Sequence, residues 1–102
     1  MTLEFLPEAA QEAAEAVAYY EEAEPNLGVR FRQELESVAT AILLHPLLWR
    51  ERPGGYRRVN LPGFPFYVAY ILREERVRVV AIGHGARRPG YFGQRLRQSP
   101  TD

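Results

Sequence analysis

Two apolar runs, Phe66–Arg73 (FYVAYILR) and Val77–Gly83 (VRVVAIG), are separated by little more than Glu74-Glu75. Both are rich in Val, Ile, Phe and Tyr, the residues that fit a pleated surface, and so short a connection predicts an antiparallel hairpin. Strand alternation puts Phe66, Val68, Tyr70 and Leu72 on one face and Tyr67, Ala69, Ile71 and Arg73 on the other. In the second strand Val77, Val79 and Ala81 alternate with Arg78, Val80, Ile82 and His84. Both strands are therefore apolar on both faces. Helices are expected to cover one face. The other is expected to stay open as apolar surface of the kind that marks a partner, unless the loop around Trp49 and the C-terminal tail lie over it.

The remaining segments supply the helices. Leu3–Leu6 reads as a short strand, and Pro7 suits the first turn of a helix because its missing N–H costs nothing there. Residues 8–22 are rich in Ala and Glu, both good helix formers, with Ala10, Ala13, Ala14, Val17 and Tyr20 as the expected inner face. Glu24-Pro25-Asn26 breaks this helix, and Asn26 is the expected N-cap of the next. Leu27, Phe31, Leu35, Val38 and Ile42 then form an amphipathic stripe that should end near His45-Pro46. Residues 46–55 read as a loop, Tyr56–Leu61 as a strand, and Pro62-Gly63 as the turn into the hairpin. Pro65 stands at a strand start, where it is tolerated. The tail should carry one short helix after Pro89, and residues 98–102 should fray. The expected fold is a single α+β domain over residues 1–102, β-αα-βββ with a short C-terminal helix, an antiparallel helical hairpin lying on one face of a three-stranded meander. Whether the N-terminal strand pairs with the last one stays open.

A net charge of zero hides a strong asymmetry. Residues 1–49 hold two arginines against nine glutamates, and residues 50–102 hold eleven arginines against four acidic residues. Every basic residue is arginine. Such a split suggests an acidic flank and a phosphate-seeking flank, although ordinary surface charge in an arginine-favouring genome reads the same way. No apolar run approaches the roughly 20 residues that span a bilayer. The N-terminus has neither the basic nor the apolar region of a secretion signal, and there is no cysteine, so a cytoplasmic chain without disulfides is expected. The two histidines lie far apart in sequence, which leaves no visible metal-ligand pattern, and no cofactor is expected.

The chemistry-bearing residues cluster where the hairpin ends. His84 is a candidate base, because histidine as a residue type can exchange a proton near neutral pH. Arg87 and Arg88 can clamp phosphate bidentately. Plainer readings compete with these. His84 can cap the strand by a loop hydrogen bond, Arg87 can pair with an acidic residue of the first helix such as Glu21, and Tyr91 and Phe92 can be core plugs for the tail. Trp49 is either a loop anchor or a partner contact.

Several stretches carry a family likeness: Phe5-x-Pro7-Glu8-Ala9, Pro25-x-Leu27-Gly28-x-x-Phe31, Arg57-Arg58-Val59, Phe64-Pro65-Phe66-x-Val68-x-Tyr70, and above all Val80-Ala81-Ile82-x-His84-x-x-Arg87-Arg88-Pro89-Gly90-Tyr91-Phe92. On these the chain resembles the RelE/ParE superfamily of bacterial type II toxins, also known as plasmid-stabilisation proteins, over nearly its whole length. The resemblance implies the fold read above and a cognate antitoxin as partner. The assembly it implies is a homodimer or a toxin–antitoxin hetero-oligomer. It also implies one of two activities: RelE-like members cut messenger RNA in the ribosomal A site, whereas ParE-like members poison DNA gyrase without being nucleases. In a nuclease, Arg58, His84, Arg87 and Tyr91 would be the catalytic set, with Arg57, Asn60, Tyr67 and Arg88 on the target or nucleic acid. The chain departs from the RelE-like pattern at Tyr67, which stands where such toxins carry a middle-strand arginine. The expectation is therefore a growth-inhibitory toxin nearer the ParE-like branch. A ribosome-dependent endoribonuclease or a degenerate, non-toxic binding module is the alternative.

Overall fold

The computed structural model of the protein describes residues 1–98. Its elements are β1 (Thr2–Phe5), α1 (Pro7–Ala23), α2 (Leu27–Leu44), β2 (Arg57–Asn60), β3 (Phe66–Arg73), β4 (Arg76–His84) and α3 (Gly93–Gln98). The expectation for the tail's last residues falls, from residue 99 on, outside the described residues.

The hairpin forms as expected. Its turn, Glu74-Glu75, has φ of 50° and 64°, so two L-residues occupy the left-handed region that a two-residue hairpin loop demands. Each is strained there. Replacing them with Asn-Gly is expected to stabilise the fold by about 1 kcal/mol, seen as a higher urea midpoint. An unchanged or lower midpoint would show that the glutamates make compensating contacts.

The sheet has four strands in the order β1-β4-β3-β2, and β1 runs parallel to β4, pairing Thr2 with Arg76 through Phe5 with Val79. The N-terminal strand thus does pair with the last one, and the meander becomes part of a mixed sheet. β1 also brings Glu4 within 2.9 Å of Arg78, which is only 5% exposed.

The helical hairpin packs on one face. Phe31, Leu35, Val38 and Ile42 of α2 are buried against Val59, Val68, Tyr70, Val77 and Val79. The face of α1 is rotated from the expected one: Ala9 and Ala16 are buried with Ala13, Val17 and Tyr20 half-buried, while Ala10 and Ala14 are exposed. An alanine-rich helix carries too little apolar contrast to fix its own rotation. At the start of α2, Asn26 takes the cap position with φ 74°, but its side chain does not cap. The Glu21 carboxylate does, accepting from the N–H groups of Asn26 and Gly28 at 2.9 and 3.0 Å. Gly28 is required there, because a Cβ would sit 2.5 Å from the Val17 carbonyl oxygen.

Strict alternation fails in β4. Ala69 pairs with Ala81 and Tyr70 with Val79, so Val80 is a bulge residue. Beyond it every side chain changes face. Ile82 joins Val77 and Val79 on the helix side, and Ala81 joins Val80 on the outer side. His84, expected on the open face, instead lies opposite Phe66 on the helix side, their rings 5.1 Å apart and edge to face.

The outer face is not open. Tyr67, Ala69, Ile71, Val80 and Ala81 are at most 2% exposed. The tail covers them: Phe92 is buried against this face, with Tyr91, Leu96 and Tyr56 beside it. Trp49 itself takes no part in this and packs on the helix side. The start of the Trp49 loop is fastened by Tyr70, whose hydroxyl donates to the Pro46 carbonyl, and by Arg57, which donates to the Trp49 carbonyl, both at 2.6 Å.

Candidate functional site

The structure divides the expected site residues among three places. The first is the upper edge of β4. β1 stops at Phe5, and the last ladder bond is from Leu6 N–H to the Val79 carbonyl. Past this point the edge of β4 would expose backbone groups to a site largely closed to water, where an unpaired group is costly. Two side chains stand in for the missing strand. Glu12 of α1 accepts the Ile82 N–H at 3.0 Å, and Arg95 of α3 donates to the carbonyl of the bulge residue Val80 at 3.0 Å.

Glu12 and Arg95 also bind each other, Nη1 to Oε1 and Nη2 to Oε2, both at 3.0 Å. This is the bidentate fork that makes guanidinium–carboxylate pairs strong. The Tyr91 hydroxyl donates to Oε2 at 2.8 Å, and Arg87 Nη1 lies 3.7 Å from the same oxygen. Arg87 also stacks on the Tyr91 ring with its Cζ 3.7 Å from the centroid. Arg87 therefore does pair with an acid on the first helix, but with Glu12 rather than Glu21. Burial raises the Tyr91 pKa strongly and its hydrogen bond to Glu12 adds to the shift. The two hydrogen bonds that Arg95 itself donates to Glu12 raise its pKa against the opposing effect of burial.

The second place is a corner of the outer face. Tyr67 lies flat over Gly83, where a Cβ would come within 2.5 Å of its Cζ and hydroxyl. Arg58 stacks on the other side of the ring at 3.9 Å and donates through Nε to Asn60 Oδ1 at 3.2 Å. Burial raises the Tyr67 pKa, partly offset by the charge of Arg58.

His84 occupies the third place, a groove of about 500 Å³ between α1 and the end of β4, lined by Glu15, Ala16, Tyr19, Tyr20 and Phe66 among others. Its Nδ1 accepts the Ala86 N–H at 3.0 Å, which is a strand-capping bond.

Arg58 and Tyr67 thus come together, as do Arg87 and Tyr91, and the two pairs adjoin, since the charges of Arg87 and Glu12 act on Tyr67 and Tyr67 acts on Tyr91. His84 is separated from Arg58 by the sheet but shares its groove with Glu12 and Arg87. Arg57 is held at the Trp49 loop, 3.6 Å from Glu51, and joins neither group. Arg88 is exposed and makes no ion pair with a described residue. The residues missed from sequence are Glu12, Arg95 and Gly83. One signal was present for Glu12: it lies three residues after Ala9 and four before Ala16, an acid on the inward stripe of its helix.

A helical hairpin laid on one face of a small mixed sheet, with an arginine-rimmed exit from its last strand, makes a compact α+β fold. The chain matches the family model for the ParE toxin of the type II toxin–antitoxin system, parDE, over residues 3–89. It belongs to that family, and is the toxin component of such a system. No curated protein matches it. Eight chains of solved structures do. One of them, the chromosomal ParDE TA system from P. aeruginosa, is 17% identical, with 82% of this chain and 95% of that chain covered and a TM-score of 0.73. At that identity the likeness speaks for the fold. Among the described residues no helix is long and apolar enough to cross a membrane.

Proposed function

We propose that this toxin inhibits growth without enzymatic chemistry, by binding a target of the DNA gyrase type, and that a cognate antitoxin neutralises it in a toxin–antitoxin hetero-oligomer. The observation that carries this reading is that His84 and Arg58, the base candidate and a cation it would need, lie on opposite sides of the sheet. RNA cleavage by 2′-hydroxyl attack needs a base, an acid and cations around one phosphate. Here His84 lies on the helix side of the sheet, opposite Phe66, while Arg58 stacks on Tyr67 on the outer side. Tyr91 donates its proton to a carboxylate and has its pKa raised further from neutrality. Tyr67 in place of a cation supports the same reading. The surface offered to a target is the exposed rim of Asn60, Arg87 and Arg88.

The test is purified toxin in two parallel assays, gyrase supercoiling and translation-dependent messenger RNA cleavage. Supercoiling should be inhibited with messenger RNA intact. His84→Ala should keep that inhibition, whereas loss of a catalytic acid or base costs about 10²–10⁴-fold. Ribosome-dependent cuts with gyrase untouched would overturn the proposal.

A further inference from the structure

We propose that α3 and the residues leading into it form a strap that opens separately from the sheet, with Glu12 as its clasp, and so switches the sheet's outer face between covered and bare. This goes beyond the choice of target and holds for either one.

The backbone gives the first reason. Gly85 N–H donates to the Pro65 carbonyl, and among the described residues this is the last backbone hydrogen bond from the tail to the body. From Arg87 onward the backbone bonds outside the helix are local: Arg87 to His84, Tyr91 to Arg88, Gly93 to Gly90, Arg95 to Phe92. Among the described residues the strap is therefore docked through side chains alone, unlike β1, which is tied in by a ladder. Undocking it breaks no strand–strand hydrogen bond, only the side-chain bond from Arg95 to the Val80 carbonyl. Segments with this property are the ones that open locally while the core stays folded.

The connection is suited to such movement. His84 to Gly90 are all exposed, Gly90 has φ 73°, and nothing lies within 4 Å of where its Cβ would be. A cleft of about 490 Å³ already runs between the strap and the 52–56 loop, walled by Gly54 and Tyr56 on one side and Phe92 and Leu96 on the other.

The polar groups at the clasp tolerate opening. Arg95, Tyr91 and the Val80 carbonyl that Arg95 holds would pass to water together as the face is bared. Glu12 would keep the Ile82 N–H, and its carboxylate lines the groove that holds His84, so it is reachable by solvent. What opening bares is apolar: Ala69, Ile71, Val80 and Ala81. The family match ends at residue 89, before Tyr91, Phe92 and α3. A partner using this face must compete with the strap, so its apparent affinity falls by the fraction of molecules that are open.

The chain contains no cysteine, which allows a direct test on the full-length protein. Ala81→Cys puts a thiol under the strap, and Ala9→Cys puts one in the helix-side core; both positions are 0% exposed. Labelling by a colorimetric disulfide reagent is followed in low denaturant. The Ala81→Cys thiol should react at least about tenfold faster than the Ala9→Cys thiol, with little denaturant dependence. Adding Glu12→Gln, which removes the charge from the clasp, should speed only the Ala81→Cys thiol, by about tenfold more. Equal rates with equal denaturant slopes would overturn the proposal, because the strap would then open only on global unfolding. Where Ala81→Cys does not fold, Ala69→Cys reports on the same face.

Discussion

Phe31→Ala is expected to lower the unfolding free energy by about 4 kcal/mol, within the range for deleting a buried aromatic ring. Phe31 is 0% exposed and sits among three other rings: stacked on Tyr20 at 5.6 Å, and edge to face with Phe64 at 5.0 Å and Phe66 at 5.2 Å. Such ring pairs contribute about 0.5–1.5 kcal/mol beyond their buried area. The surrounding groups belong to α1, the turn before β3, and β3 itself, so a cavity here has no single side chain able to fill it. A domain of this size has only about 5–15 kcal/mol in total. The loss should appear as a fall in Tm of about 20 °C. The effect should also reach His84, whose ring rests on Phe66. Phe31→Leu keeps most of the volume and should cost less than half as much. If the two variants lay within about 1 kcal/mol of each other, the ring contacts would contribute little and the cavity argument would fail.

The difference between Phe31 and Glu12 marks what could be read from the sequence. Phe31 lies on a stripe of Leu27, Leu35, Val38 and Ile42 whose spacing fixes both the helix and its inward face. The β3–β4 hairpin was equally legible, since runs of β-branched and aromatic residues flank a two-residue turn. The bulge at Val80 was not. It falls within Val79-Val80-Ala81-Ile82, four apolar residues in a row, where a one-residue slip leaves no trace in the pattern yet carries His84 to the other side of the sheet. Both faces of these strands are covered, so neither demands alternation. The rotation of α1 was hidden for a related reason, since Ala10 and Ala14 are as apolar as Ala9 and Ala16. The tail's plugs, Tyr91 and Phe92, were visible as a plain alternative. Their anchor was not, because Glu12 and Arg95 are 83 residues apart and meet only after the sheet has formed.

Glu12→Ala is expected to cost about 3 kcal/mol, the scale for breaking a buried ion pair by removing one partner. The carboxylate accepts from Ile82 N–H, from the Tyr91 hydroxyl and from both Arg95 Nη atoms. Its side chain is 14% exposed and that of Arg95 18%, so screening by water is limited. The loss has a ceiling, because a released strap lets Arg95 and Tyr91 hydrate. Tm should fall by about 15 °C. Glu12→Gln keeps an acceptor but not the charge and should fall between the two. In the Glu12→Ala/Arg95→Ala double variant the losses should be less than additive by about 1–2 kcal/mol, since each single change already breaks the same pair. Full additivity would mean that the fork contributes nothing of its own. The clasp also sets an alkaline limit. The Tyr91 hydroxyl holds its proton more tightly in the folded chain than in the unfolded one, through burial first and the bond to Glu12 second. Its contribution is therefore complete below the unfolded phenol pKa of about 10 and declines as pH rises above it. Tyr20, Tyr67 and Tyr70 are shifted upward as well, so Tyr91→Phe should flatten the alkaline fall in stability without abolishing it. An unchanged alkaline slope in Tyr91→Phe would show that this phenol is already free of Glu12 in solution.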